Sequence, residues 1–307
     1  MTDELWDIPG YANWEIVKKI EAGWSNDKKY FIIDRSGNLL LLRTSDISLA
    51  EAKEKEFQMI KRFNSLHFEM SKTIVFGFCN NQKNVYMLLS WVEGIALAKI
   101  LDHYPENGQY DLGLKAGKIL KEIHSIPVDR SDLSSQDKKG EMLHNLEIYE
   151  NSNVRLENDR FAIEYVRNNI HKINPLPPVY QHGDFHVGNL LLTPDKQVGV
   201  IDFNRWDCGD RYEEFYKVQS FDAEISIPFS IGQIDAYFDR QPPREFWETM
   251  AVYVAYASLY SIFWAVKFGE NDINAMKKRC LKAFDDYDRF NTVIPHWYEN
   301  NFMKFRK

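Results

Sequence analysis

The stretch that decides the fold begins Tyr180-Gln181-His182-Gly183-Asp184-Phe185-His186-Val187-Gly188-Asn189. It continues Leu190-Leu191-Leu192-Thr193-Pro194-Asp195-Lys196-Gln197 and closes with Val198-Gly199-Val200-Ile201-Asp202-Phe203-Asn204. Residues 190–193 and 198–201 are short apolar runs with a turn between them, so the spacing predicts a β-hairpin. A hairpin brings its open ends together, and Asn189 sits at one end with Asp202 at the other. Asp184 lies five residues before Asn189, in a loop broken by Gly183 and Gly188. Three oxygen-bearing side chains are therefore expected at one mouth. An amide and a carboxylate there are hard-oxygen ligands suited to Mg²⁺ held against phosphates. A second carboxylate nearby can take a proton from an attacking hydroxyl.

These residues carry a resemblance. His182-Gly183-Asp184, then Asn189, then Ile201-Asp202, is similar to the catalytic loop and metal-binding Asp of the aminoglycoside phosphotransferase family. That family shares its fold with protein kinases and choline kinases. The Asp-to-Asn interval of five matches the kinase pattern H-R-D-L-x-x-x-N, with His-Gly-Asp in place of His-Arg-Asp. The resemblance implies an α+β, bilobal protein-kinase-like fold, with a small β-rich lobe before a larger helical lobe. It also implies ATP or GTP with Mg²⁺ as cofactors. Asp184 is then the base, and Asn189 and Asp202 are the metal ligands.

The upstream part reads independently. Residues 14–20, 30–33, 39–43, 73–78 and 85–91 are strand-like, and Ser36-Gly37-Asn38 is a hairpin turn. A helix is expected to start at Ser48, with Glu51 three residues on as a capping box. Its wheel puts Leu49, Ala52, Glu56, Ile60 and Phe63 on one stripe. Glu56 is then a carboxylate on an apolar face, which needs a cation. Arg43 ends the preceding strand and alternates to the face of Leu39 and Leu41. Kinase-like folds pair a strand cation with a helix glutamate in this way, and the cation steadies the nucleotide phosphates.

Here the chain departs from the family, which has Lys where this sequence has Arg43, and Arg is larger, forked and permanently charged. Either Arg43 contacts the phosphates, as its strand position favours, or it only neutralises Glu56 while Lys28 or Lys29 reaches them. Residues 23–27, the phosphate-covering turn by position, hold one glycine. Asp202-Phe203-Asn204 lacks the last glycine of the kinase D-F-G triplet. By resemblance, residues 85–91 with Glu93-Gly94 form the hinge, and backbone groups near Ser90 and Val92 bond the purine.

The division expected is 1–92 for the nucleotide-binding lobe and 93–307 for the catalytic and substrate-binding lobe. The latter reads as helical, with Leu112, Ala116, Ile119, Leu120 and Ile123 on one face and Pro127 ending that helix. Gly113 to Lys118 mimics a phosphate loop but is one residue short and sits mid-helix. His182 and His186 lack a third metal ligand, and His182 is expected to hold the loop. Residues 250–266 carry no charge, but their two serines and three tyrosines favour a core helix over a membrane-associated one. From 207 to 248 there are ten acidic and four basic residues, a surplus of six in a chain of net charge −7. The readings are a solvated face or an acidic pocket for a cationic acceptor.

Composition sets the outer limits. The 307 residues are 44% hydrophobic and 27% charged, which excludes a disordered chain. Acidic residues outnumber basic ones by 45 to 38, against a nucleic-acid partner. Three scattered cysteines and an acidic, non-apolar start point to a reducing, cytoplasmic location without a signal peptide or membrane partner. The reading is a small-molecule kinase of the aminoglycoside O-phosphotransferase type. The alternatives are a metabolite kinase with a choline-, homoserine- or sugar-like acceptor, or a weakly active pseudokinase. Residues after Asp202 lack the Ala-Pro-Glu segment of protein kinases. The acceptor, ATP against GTP, and the oligomeric state stay open.

Overall fold

A computed structural model of the chain describes residues 4–21, 27–133, 137–174 and 176–306. Residues 23–26 of the expected phosphate-covering turn lie outside them. The chain divides into two compact units, Met1–Ile95 with Leu191–Trp206, and Ala96–Leu190 with Asp207–Lys307.

The first unit is built on strands β1 (Trp14–Ile20), β2 (Lys28–Asp34) and β3 (Leu39–Asp46), helix α1 (Ala50–Phe63), and strands β4 (Glu69–Met70), β5 (Thr73–Cys79) and β6 (Asn84–Ser90). Five strands form an antiparallel sheet in the order β1-β2-β3-β6-β5. Alternation along β3 sends Leu40 and Leu42 into a core with Leu5, Ile8, Tyr30, Ile32, Tyr86 and Leu88. Arg43 goes to the opposite face, toward α1. At the β2–β3 turn Asp34 accepts from the Ser36 and Asn38 amides at 2.9 and 2.8 Å, and Gly37 takes φ 82°, which glycine adopts without cost.

The entry to α1 differs from the expected capping box. Asp46 caps the short 3₁₀ turn Ile47–Leu49 by accepting from Ser48 N at 2.9 Å and Ser48 Oγ at 2.7 Å. Ser48 therefore donates rather than caps, and Glu51 pairs with Lys55. Leu49 and Ala52 are exposed, and the buried stripe is Glu56, Phe57, Met59, Ile60 and Phe63. The helix meets the sheet only after its first turn.

The chain continues through β7 (Ile95–Ala96), α2 (Glu106–Ile123), α3 (Lys138–Glu150), α4 (Arg160–Asn169), β8 (Val179–Gln181), β9 (Leu190–Leu192), β10 (Val198–Val200) and β11 (Asp207–Gly209). Then follow α5 (Ala223–Ile225), α6 (Ile227–Tyr237), α7 (Arg244–Trp264), α8 (Glu270–Asp286), α9 (His296–Glu299) and α10 (Phe302–Phe305). The hairpin β9–β10 appears where its pattern placed it. Residues 191–206 join the first unit, which a single cut after Val92 does not allow for. The reason is backbone pairing: β10 lies parallel to β4, with Gly199 opposite Glu69 and Val200 opposite Met70, and Phe203 packs on Phe63 at 5.0 Å.

In the second unit β8 pairs antiparallel with β11. Helix α2 packs closely on α6, and α7 packs against α3, α4 and α8. The uncharged stretch 250–266 lies in α7 and its 3₁₀ extension. Met250, Val254, Leu259 and Ile262 are fully buried. Among the described residues, the segment Arg244–Phe268 is the one helix long and apolar enough to cross a membrane, and 61% of its most apolar window is buried within the protein.

Candidate active site

The loop after β8 is held by a carboxylate the sequence reading missed. Glu214 accepts from the backbone N–H of His182 at 2.8 Å and of Gly183 at 2.7 Å, and His124 Nε2 lies 3.3 Å from it. Burial alone would raise its carboxyl, but the His124 bond and these contacts lower it. Gly183 has φ 77°, a left-handed turn that aims the next residue outward. His182 is fully buried and its Nδ1 accepts from Asp184 N at 3.1 Å. It holds the loop, as expected.

Asp184 emerges from this turn at the centre of a polar group. Asn189 Nδ2 donates to Asp184 O at 3.0 Å and to its Oδ2 at 3.3 Å. That leaves the harder ligand atom, the Asn189 amide oxygen, outside both bonds. Lys217 Nζ donates to Asp184 Oδ1 at 2.6 Å, and His186 Nε2 lies 3.6 Å from the same oxygen. Burial works against the Asp184 charge, yet His186 and Lys217 hold its carboxyl well below the usual range. Asp184 is thus ionised and oriented. Asp222 accepts from Val187 N at 2.9 Å, and burial pushes its carboxyl up to about 7. The His186 ring stacks on Phe221 at 4.8 Å, and its Nδ1 accepts from Gly188 N.

In the first unit the Arg43–Glu56 pair exists. Arg43 is 3% exposed, and its Nη1 donates to Glu56 Oε1 at 2.5 Å. Two further members were not foreseen. Asp27 accepts from Arg43 Nε at 3.0 Å and also from its Nη2. Lys53 Nζ bridges Asp27 and Glu56 at 2.8 and 2.9 Å. The Lys53–Glu56 spacing of three on a helix was a readable signal; the Asp27 contact, across sixteen residues, was not. Burial raises the Asp27 carboxyl, but Arg43 and Lys53 win and hold it at about 2.

Asp202 has φ 67° and ψ 58°, a left-handed backbone uncommon for a residue with a side chain and often found at functional sites. Lys29 Nζ bonds its Oδ2 at 3.2 Å, so a cation already stands at this carboxylate. Among the described residues no group of three or more His, Cys, Asp or Glu could hold a metal. The Asn189 amide oxygen and the Asp202 carboxylate are each hard oxygens of the kind Mg²⁺ takes. At the expected hinge the Ser90 amide is occupied, donating to Lys72 O at 2.8 Å. Trp91 N bonds Leu39 O, and Val92 follows.

The acidic stretch is mixed: Asp210, Glu214, Asp222 and Asp235 are buried inside the second unit, while others, such as Asp239 and Glu224, lie in exposed pairs. Asp210 serves Asn174 N, Tyr212 N and Tyr253 OH. Glu213 pairs with Lys138, Glu224 with Arg279, Asp235 with Arg306, and Asp239 with Lys121. Gly113 and Gly117 are helical, as the decoy reading required.

Residues 16–246 match the model of the phosphotransferase enzyme family, and the chain belongs to it. An aminoglycoside 3'-phosphotransferase of Escherichia coli is 27% identical over 159 residues, 50% of this chain and 58% of that protein. One of Salmonella typhimurium is 27% identical over 143 residues, 45% of this chain and 52% of that protein. The matches thus span between half and three-fifths of those relatives. The wild-type aminoglycoside 2'-phosphotransferase-IIIa, solved with GDP, superposes at a TM-score of 0.71 with 14% identity, over 88% of this chain and 92% of its own. The gentamicin complex of APH(2")-IIa superposes at 0.64 with 15% identity, over 91% and 94%. The fold is the kinase-like fold of these proteins.

Proposed function

We propose that the chain transfers the γ-phosphoryl group of ATP or GTP to a hydroxyl of a small molecule, with an aminoglycoside-type acceptor. The observation that carries this is Asp184: ionised by Lys217 and His186, aimed by Gly183, and mounted on a loop clamped by buried Glu214. Family membership supports the reaction class, and the names of the relatives support the acceptor.

In this reading Asp184 accepts or orients the proton of the acceptor hydroxyl as its oxygen attacks the γ-phosphorus and the β–γ bridging bond breaks. Asn189 and Asp202 are the residues that would hold Mg²⁺, which when bound neutralises charge on the phosphates. Asn189 also fixes the Asp184 carboxylate through its amide nitrogen. A cation on the β2–β3 face serves the phosphates, either Arg43 or a lysine of β2. Val92 supplies backbone groups for the base, with the Ser90 carbonyl, since the Ser90 N–H is spent on Lys72. The cytoplasm, where both nucleotides are abundant, is the proposed location.

A second reading, a metabolite kinase with a choline-, homoserine- or sugar-like acceptor, is favoured by one observation. Lys217 is a cation bonded to the Asp184 carboxylate, which does not attract a polycationic acceptor. Nucleotide consumption with kanamycin, gentamicin, a macrolide, choline, homoserine and simple sugars separates the two. Turnover with an aminoglycoside is expected, and Asp184→Asn should lower it by about 10²–10⁴-fold while the fold persists. Near-normal turnover in that variant would remove Asp184 from the chemistry.

A further inference from the structure

Two cations were candidates for the nucleotide phosphates, and their surroundings differ. Arg43 is enclosed. Its guanidinium spends donors on Asp27 and Glu56, Lys53 bridges the same two carboxylates, and Ser45 Oγ donates to Asp27 at 2.7 Å. Arg43 and Lys53 face Asp27 and Glu56, and Asp202 also acts on Arg43 electrostatically; the side chains of Arg43, Asp27 and Glu56 are only 3–5% exposed and that of Lys53 14%. A phosphate at Arg43 would have to displace a carboxylate already bonded to its guanidinium, which strands a buried charge.

Lys29 is placed otherwise. It is the cross-strand partner of Arg43 in the β2–β3 ladder, so both side chains leave the same face. It does not join the cluster; its ammonium reaches Asp202, and its side chain is 14% exposed. Lys28 alternates to the other face, where it pairs with Glu4 and is 48% exposed. Lys29 is therefore the cation beside the carboxylate that serves Mg²⁺ in the reading above. Once Asp202 turns to the metal, the ammonium exchanges one anionic oxygen for another and pays little new desolvation.

We infer that Lys29 on β2, rather than Arg43 on β3, is the side chain that binds the nucleotide phosphates, and that Arg43 is a structural cation seating α1 on the sheet. This rests on the nucleotide-dependent reading of the site. Position accounts for the Arg: a forked guanidinium can serve Asp27 and Glu56 together, which a lysine ammonium at the same place serves less well.

The test is titration calorimetry of the full chain with ADP, GDP, AMP-PNP and GMP-PNP, with and without Mg²⁺, alongside thermal melting. Lys29→Met should weaken binding of the Mg²⁺-nucleotide by roughly 10–100-fold, the range for one charge-assisted contact, with the melting temperature kept. Lys29→Arg should restore much of that loss. Arg43→Lys should lower the melting temperature yet bind within about threefold of wild type below its transition. If Lys29→Met binds as well as wild type, or a folded Arg43→Lys loses about tenfold or more while Lys29→Met does not, the assignment is overturned. A wild-type chain that binds none of the four nucleotides overturns the phosphotransferase reading itself and the assignment with it.

Discussion

Lys217 is 4% exposed, yet burial, which acts against its charge, is outweighed by Tyr216 and Asp184, so its pKa is raised. Its 2.6 Å bond to Asp184 fixes one carboxylate oxygen and leaves the other toward Asn189. Lys217→Met removes the lysine cation and leaves the acid held by Asn189 and His186. Turnover should fall by about tenfold or more, with a smaller change in acceptor KM; an unchanged kcat would show that the pair is only structural. A lysine in a helical stretch carries no sequence mark for this role. It becomes visible only when the chain folds a residue thirty-three positions from Asp184 against it. Asp184, Asn189 and Asp202 could be singled out in the sequence because they stand at short spacings in and beside one hairpin.

At the scale of elements, α2 and α6 approach until side chains do not fit. A Cβ on Gly113 would lie 2.1 Å from Phe229 O, on Gly117 2.2 Å from Gln233 O, and on Gly232 2.3 Å from Tyr110 O. Alanine is the better helix former by about 1 kcal/mol. Even so, Gly113→Ala or Gly117→Ala should destabilise by about 1–3 kcal/mol, because overpacking against backbone exceeds the propensity gain. Urea unfolding measures it, and a stabilised Gly117→Ala would mean that the helices separate freely. The G-x-x-x-G spacing at 113–117 was visible in sequence, but its partner helix was not. The seat of α1 responds to acid. Asp27 has its pKa lowered from 3.8 to about 2, so its contribution is complete above about pH 4 and is lost as pH falls toward 2. That contribution is about 2 kcal/mol. Urea midpoints between pH 5 and 2.5 should show it in wild type and not in Asp27→Asn.

For the whole molecule, binding is the accessible measure of the proposed chemistry. Mg²⁺ with nucleotide at about a hundredfold over Kd should stabilise the chain by about 2.7 kcal/mol. Asp202→Ala should lose most of that gain with Mg²⁺ present and little of the metal-free part. Equal losses in both conditions would count against Asp202 as a metal ligand. The acidic surplus of residues 207–248 illustrates what composition misses. Its charge is real, but carboxylates such as Asp210, Glu213, Glu214 and Asp235 are internal bonds of the second unit.

By itself the sequence determined the two-part architecture, the β9–β10 hairpin, the Arg43–Glu56 pair and the buried helix of residues 250–266. Each rests on a local period or a short interval, which the backbone geometry of strands and helices converts directly into position. Tertiary structure alone decided that Asp27 and Lys53 close around Arg43, that Lys29 rather than Lys28 faces Asp202, that Glu214 clamps the loop and that Lys217 ionises Asp184. Those contacts join distant segments, and buried charges select whatever counter-charge the packed chain brings within hydrogen-bonding distance.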